Sequence, residues 1–266
     1  MAENLNYLAF IVLLIGTLSL LIKLWVKEKW LNYIGLAAAV VSLIALGIVI
    51  VLRTIALGHL PFNNVYGFML CFVWAIVAFY LILAIFLKIP EPGAFVLAVA
   101  TLLLGVTFFL SDEIQPLMPA LRSNWLFLHV FTSVISYSCF ALNFGLSLYY
   151  LVKIPKGEIA PEHKELSLKL EKYTYNSVIF GFIFLTFLII TGAIWAEKAW
   201  GSWWSWDPKE TWALVTWLIY ACYLHLRRRP KWKGRRIYYI AIIGFICVIF
   251  TFLGVTFLMS GLHTYA

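Results

Sequence analysis

The stretch Leu31-Asn-Tyr-Ile-Gly-Leu-Ala-Ala-Ala-Val-Val-Ser-Leu-Ile-Ala-Leu-Gly-Ile-Val-Ile-Val-Leu-Arg53 carries one charge, at its last position. At about 1.5 Å per residue a helix over it reaches about 34 Å, enough to cross a hydrocarbon layer of about 30 Å. Seven further apolar runs have the same character, over residues 7–26, 65–87, 94–111, 125–152, 174–196, 211–226 and 237–259. The pattern predicts an all-α, polytopic membrane protein with about eight transmembrane helices, forming a single integral membrane domain over residues 1–266. The run 211–226 is the shortest and ends in Arg227, Arg228 and Arg229, whose long side chains can snorkel to the interface. Composition agrees: 64% of residues are apolar and 12% charged, against about half and about a quarter in soluble domains, which excludes a soluble enzyme.

The net charge of +8 raises the question of nucleic acid, and its distribution answers it. Of the 20 Lys and Arg residues, sixteen fall in the connections after runs 1, 3, 5 and 7. Only Arg53, Arg122, Lys198 and Lys209 fall in the others. Cytoplasmic loops collect positive charge, so this asymmetry predicts both termini on the outer side. The basic balance is topological, and no nucleic-acid partner is expected; the partner in that sense is the lipid bilayer. The start, Met1 to Asn6, has Glu3 but no Lys or Arg, so the first run reads as a retained span and not a cleaved signal. Cys71, Cys139, Cys222 and Cys247 each sit inside an apolar run and form no CxxC pair, so they read as small core residues. Residues 153–173, Lys/Glu-rich and broken by Pro155 and Pro161, read as a short amphipathic helix or loop on the cytoplasmic surface, carrying a solvated His163.

Chemistry concentrates in the connection between runs 6 and 7. Six tryptophans, Trp195, Trp200, Trp203, Trp204, Trp206 and Trp212, fall within eighteen residues. An interfacial belt places one or two per helix end. This density, with Gly201 and Ser202 to turn the backbone, reads instead as several indoles tiling one platform for a large, flat, apolar ligand. The segment 197–211 is the external tryptophan-rich element. Within it, Asp207-Pro208-Lys209-Glu210 starts a helix: Asp as N-cap, Pro at the first helical position, and Glu three residues after the cap.

A flat ligand with a metal centre needs axial donors, and neutral imidazole is the usual one for iron. His129, near the start of run 5, and His263, just beyond run 8, are placed by the threading on the same side and at similar depth as the tryptophans. They read as a bis-histidine pair. His225 lies in run 7 beside the Arg227 cluster, about 24 Å of helix away, too far to share their iron. Two readings of it are open: a second, deeper ligand station, or a cation snorkelled to lipid phosphates. His59, in Gly58-His59-Leu60-Pro61 followed by Asn63 and Asn64, reads as a hydrogen-bonding turn residue.

The string Trp200-Gly-Ser-Trp-Trp-Ser-Trp-Asp-Pro-Lys-Glu-Thr-Trp212, followed by Tyr223-Leu-His225-Leu-Arg and Gly261-Leu-His263, resembles the CcsA or ResC family of cytochrome c biogenesis proteins, in the haem-handling superfamily named for its tryptophan-rich WWD segment. The Gly58-His59-Leu-Pro stretch is similar to that family's N-terminal half. The resemblance implies a membrane component of the cytochrome c synthase, a subunit of a thioether-forming haem lyase in the inner or plasma membrane. Such a component receives haem b, holds it at the outer face, and presents its vinyl groups to the CxxCH cysteines of apocytochrome c. It implies iron ligation by residues matching His129 and His263, a membrane-embedded ligand matching His225 that serves haem export, and a cradle of Trp200, Trp203, Trp204, Trp206, Asp207 and Trp212. It also implies a CcsB/ResB-type membrane subunit as a separate polypeptide and a thioredoxin-like thiol reductant. Two rival readings are a membrane cytochrome b that exchanges electrons with quinone and a haem chaperone of the ABC-dependent pathway. The first calls for paired histidines on facing helices within the bilayer, whereas here only His225 is embedded. A cofactor-free assembly subunit, in which the histidines are dispensable, is a third reading.

Overall fold

The computed structural model describes residues 2–88, 90–113, 121–157, 160–229, 232 and 234–262. Among the described residues the regular structure is entirely helical. Eight main helices fall on the eight apolar runs: α1 (Ala2–Lys23), α2 (Trp30–Leu57), α3 (Val65–Leu87), α4 (Gly93–Val106), α5 (Asn124–Lys153), α6 (Pro161–Trp200), α7 (Pro208–Arg227) and α8 (Arg235–Leu258). Six of them are long and apolar enough to cross a membrane, so the chain is an all-α, multi-pass membrane protein. The other two are α4 and α7. Helix α4 has 14 residues, or about 21 Å, and a 3-10 turn over Thr107–Phe109 prolongs it. Helix α7 has the length but carries Lys209 and Glu210 at one end and His225 and Arg227 at the other.

The helices cluster into two compact units, residues 1–116 and 117–266. In the first, α1 packs on α2 and α4, and α3 packs on the same two. Small hydroxyls satisfy themselves across these contacts: Ser42 donates to the Ala9 carbonyl at 3.0 Å, Ser19 to that of Leu31 at 2.8 Å, and Thr17 pairs with Thr101 at 2.9 Å. Where lipid offers no hydrogen bonds and no hydrophobic drive between helices, such small-residue contacts hold helices together. In the second unit α5 packs on α6 and α8, and α7 packs on the same pair. Here Ser136 donates to the Gly181 carbonyl and Asn143 to that of Thr174, both at 2.9 Å. The Arg235 guanidinium closes the end of α5 by donating to the Ile154 and Leu151 carbonyls at 2.7 and 2.9 Å. Helix α8 contains a π-helical turn over Phe250–Gly254.

One element differs from expectation. Residues 161–173 are neither a loop nor a separate surface helix; they form the first turns of α6, whose 40 residues extend about 60 Å. Pro161 occupies the first helical position, where its missing N–H costs nothing. Glu165 and Lys169 pair one turn apart at 2.8 Å, and Ser167 and Leu170 are buried. Glu171 meets Arg227 of α7 at 3.2 Å. That run has a buried face of its own, so nothing ends the helix at the apolar boundary. His163 sits beside Glu162 at 3.4 Å.

Candidate functional site

The tryptophan-rich connection belongs to the second unit and begins where α6 ends at Gly201, a left-handed C-cap with φ 76°. Its far end is the capping box expected from the sequence. Asp207 Oδ1 accepts the Lys209 N–H at 2.9 Å, while Glu210 Oε2 accepts the Asp207 N–H at 3.2 Å. The Glu210 carboxylate does more than complete the box. The same oxygen accepts the Ser205 N–H at 2.8 Å and its hydroxyl at 3.3 Å, binding the loop back onto α7. Between these anchors Trp206 takes φ 59°, a left-handed conformation that costs a non-glycine residue roughly 1–3 kcal/mol. The loop holds it there: Glu210 fixes both neighbours, and the Thr211 hydroxyl donates to the Trp206 carbonyl at 3.2 Å. The result is an indole turned outward, 69% exposed. Lys209 is half-buried, and desolvation lowers its ammonium pKa although Asp207 pulls the other way.

His129 lies in α5, one turn from its start, and its ring faces α6. Its Nδ1 is 2.9 Å from the Leu188 carbonyl. A carbonyl only accepts, so Nδ1 carries the proton and the lone pair of the neutral ring is on Nε2. That is how metal-ligating histidines are commonly held, with one nitrogen committed to a backbone acceptor and the other carrying the donor pair. The approach needs a glycine opposite: a Cβ on Gly192 would stand 2.7 Å from Nδ1 and 2.8 Å from Cε1 of His129. The imidazole lies nearly parallel to the buried indole of Trp195, 20° between planes and 6.1 Å between centroids. Trp195 in turn meets Trp200 edge-on at 4.7 Å.

The structure therefore joins His129, Trp195 and Trp200 in one aromatic chain leading to the loop. It does not tile the six indoles in one layer. Trp204 and Trp206 stand perpendicular, 5.7 Å apart, Trp203 is 58% exposed, and Trp212 packs on Phe250 of α8 at 4.4 Å. His225 is exposed on α7 near its end, on the face that also exposes Leu218 and Cys222. His59, in the first unit, turns Nδ1 to the Leu60 carbonyl at 2.8 Å. His263 lies outside the described residues. The segment leading to it is described: the Leu262 N–H donates to Asp207 Oδ2 at 2.7 Å. Sequence reasoning missed the Leu188 carbonyl, Gly192 and this Leu262 contact. Gly192 between Thr191 and Ala193 is a faint signal of close helix approach, and a backbone carbonyl gives none.

A family model described as "Cytochrome C assembly protein" matches residues 62–263, a stretch that includes the whole of this site. The chain belongs to that family. Among relatives of this cytochrome c assembly protein, "Cytochrome c biogenesis protein CcsA" of Guillardia theta is 35% identical over 98% of this chain and 95% of its own length. The protein of the same description from Synechococcus sp. (strain CC9902) is 36% identical over 100% and 96%. The solved structure titled "Cytochrome c Heme Lyase CcmF" superposes with a TM-score of 0.71 at 14% identity, covering 98% of this chain and 47% of that one; the two share a fold. The resemblance carried by Trp200–Trp212 thus holds at the level of the family, and this is a membrane component of cytochrome c biogenesis.

Proposed function

We propose that this chain holds haem b as a substrate at the outer face of the inner or plasma membrane and presents it to apocytochrome c, as a subunit of a holocytochrome c synthase. His129 and His263 are the axial ligands; Trp200, Trp203, Trp204, Trp206 and Trp212 supply the apolar cradle, and Asp207 the frame at its root. The observation that carries this reading is the His129 ring, whose Nδ1 is committed to the Leu188 carbonyl, leaving the donor pair on Nε2, and whose imidazole lies nearly parallel to Trp195, which in turn meets Trp200 at the root of the connection. The charge asymmetry of the loops supports the outward orientation of that connection.

Thioether formation adds a thiol across a vinyl double bond: carbon–sulfur and carbon–hydrogen bonds form, and there is no leaving group. The chain's task is therefore positional, holding the macrocycle so that a vinyl carbon and a CxxCH sulfur meet at attack distance. Two nitrogen ligands also keep the iron from uncontrolled oxygen chemistry. The thiols come from the apocytochrome, kept reduced by a thioredoxin-like partner. His225 faces away from its own unit, which suits a deeper station whose second ligand comes from a CcsB/ResB-type membrane subunit.

The test is the haem spectrum of the chain copurified with its membrane partners, after His129→Gly and His263→Gly. Each change should lower haem content and maturation, and added imidazole should restore both in part. Unchanged haem content in both variants overturns the ligand assignment.

A further inference from the structure

The Leu188 carbonyl, to which His129 is tied, faces more donors than it can serve at full strength. In the unbroken helix α6 it accepts the Gly192 N–H four residues on. It also accepts the His129 Nδ1–H at 2.9 Å, and the Thr191 hydroxyl stands 3.2 Å from the same oxygen. A carbonyl oxygen has two lone pairs, so three donors compete for them. Thr191 is buried and has a second acceptor within reach: its hydroxyl is 2.7 Å from the Phe187 carbonyl, the back-bond of a helical threonine. The single hydroxyl proton is thus divided between two carbonyls, and the share that falls on Leu188 is taken from His129. On the facing helix Thr132 makes a matching pair of bonds, to the Leu128 and His129 carbonyls at 2.8 and 2.9 Å, and neither oxygen is the one that receives the His129 ring.

We propose that Thr191 is a positioning residue that sets the strength of the His129–Leu188 bond, and through the ring the potential of the iron that His129 holds. A histidine that donates one ring N–H gains basicity at its other nitrogen, and a more basic axial ligand favours ferric over ferrous iron. By drawing on the Leu188 oxygen, the Thr191 hydroxyl weakens that donation, leaves Nε2 less electron-rich, and biases the iron toward its ferrous state. Two neighbouring residues then divide the work: Gly192 makes room for the ring, and Thr191 adjusts its hydrogen bond. The proposal rests on the reading of His129 as an iron ligand and adds the group that tunes it.

Thr191→Val removes the hydroxyl at nearly constant shape, Thr191→Ser keeps it, and Thr132→Val is the control. The first readout needs no haem. In the full chain with isotope-labelled histidine, the His129 Nδ1 proton, assigned by its absence in His129→Gly, should move downfield in Thr191→Val as its hydrogen bond strengthens. It should stay in place in Thr191→Ser and Thr132→Val. The second readout is the midpoint potential of haem in the chain copurified with its membrane partners. A neutral hydrogen bond is worth a factor of about two to ten. One shared at 3.2 Å lies at the low end, so the ratio of ferric to ferrous affinity should rise about threefold in Thr191→Val. That is a fall of about 28 mV, at about 59 mV per tenfold for one electron. Thr191→Ser should keep the unsubstituted value.

A downfield proton shift with an unchanged potential, in a protein whose His129→Gly variant has lost its haem, overturns the tuning role and leaves the ligand assignment standing. An unmoved proton in Thr191→Val, or a Thr191→Ser variant that behaves as Thr191→Val does, overturns it too. So does an upfield shift, which would show the hydroxyl supporting the contact instead of competing for it. Full haem content in His129→Gly removes the ligand assignment, and the proposal with it.

Discussion

Gly192→Ala tests the ring that carries the functional reading. The new methyl carbon would sit 2.7 Å from Nδ1 and 2.8 Å from Cε1 of His129, against an ordinary contact near 3.5 Å. Something must move by about 0.7 Å. If the ring moves, the 2.9 Å bond to the Leu188 carbonyl lengthens past hydrogen-bonding range. The direct loss is then about 1 kcal/mol for the bond, plus about 1–3 kcal/mol for overpacking. Alanine returns up to about 1 kcal/mol in helix propensity, leaving a net folding loss of about 1–3 kcal/mol. Ligation suffers as well, because the donor nitrogen sits across the same rigid ring and swings with it. Losing an orienting bond at a metal-bound histidine costs about 10–100-fold in affinity.

Gly181→Ala is the control. It lies on the same helix against the same neighbour, with its Cβ 2.8 Å from Phe140 Cε1, and should perturb α5–α6 spacing equally without touching His129. Haem affinity from spectral titration of the copurified complex should fall on the order of 10-fold or more in Gly192→Ala and less than about twofold in Gly181→Ala. Equal losses in the two would show that helix spacing, not ring orientation, governs binding. Full affinity in Gly192→Ala would refute the reasoning outright.

Three further outcomes follow from the same contacts. Glu210→Ala removes the acceptor for Ser205 and Asp207; it should cost about 1 kcal/mol, as lost caps do, and release Trp206 from its left-handed turn. Acrylamide quenching of tryptophan fluorescence should then rise, and unaltered quenching would mean the loop is held elsewhere. Arg235→Ala removes both donors to the end of α5; an unfolding loss of about 2 kcal/mol is expected with an unchanged haem spectrum, whereas an altered spectrum would make this end of the unit part of the site. For orientation, a membrane-impermeant maleimide should label Ser202→Cys in intact cells and Lys164→Cys only after permeabilisation. The reverse pattern would defeat the charge-based topology.

What was legible in the sequence was local. The eight apolar runs correspond to eight helices because span length and desolvation of the backbone are properties of a contiguous segment. Asp207-Pro208-Lys209-Glu210 folds as a capping box because every partner lies within one turn. The start of α6 escaped, because the helix over 161–173 depends on Ser167 and Leu170 finding a buried face and on Glu171 reaching Arg227 of another helix.

At the site the division is the same. The residue types of His129 and of the tryptophan cluster over residues 195–212 were readable. Which nitrogen of His129 carries the proton was not. That was decided by a main-chain carbonyl fifty-nine residues away and by the missing side chain of Gly192 that lets it approach. The junction of Leu262 with Asp207 was decided in the same manner. Backbone donors and acceptors are common to every residue, so a sequence cannot mark the ones that serve a side chain; only the packing of one segment against another selects them.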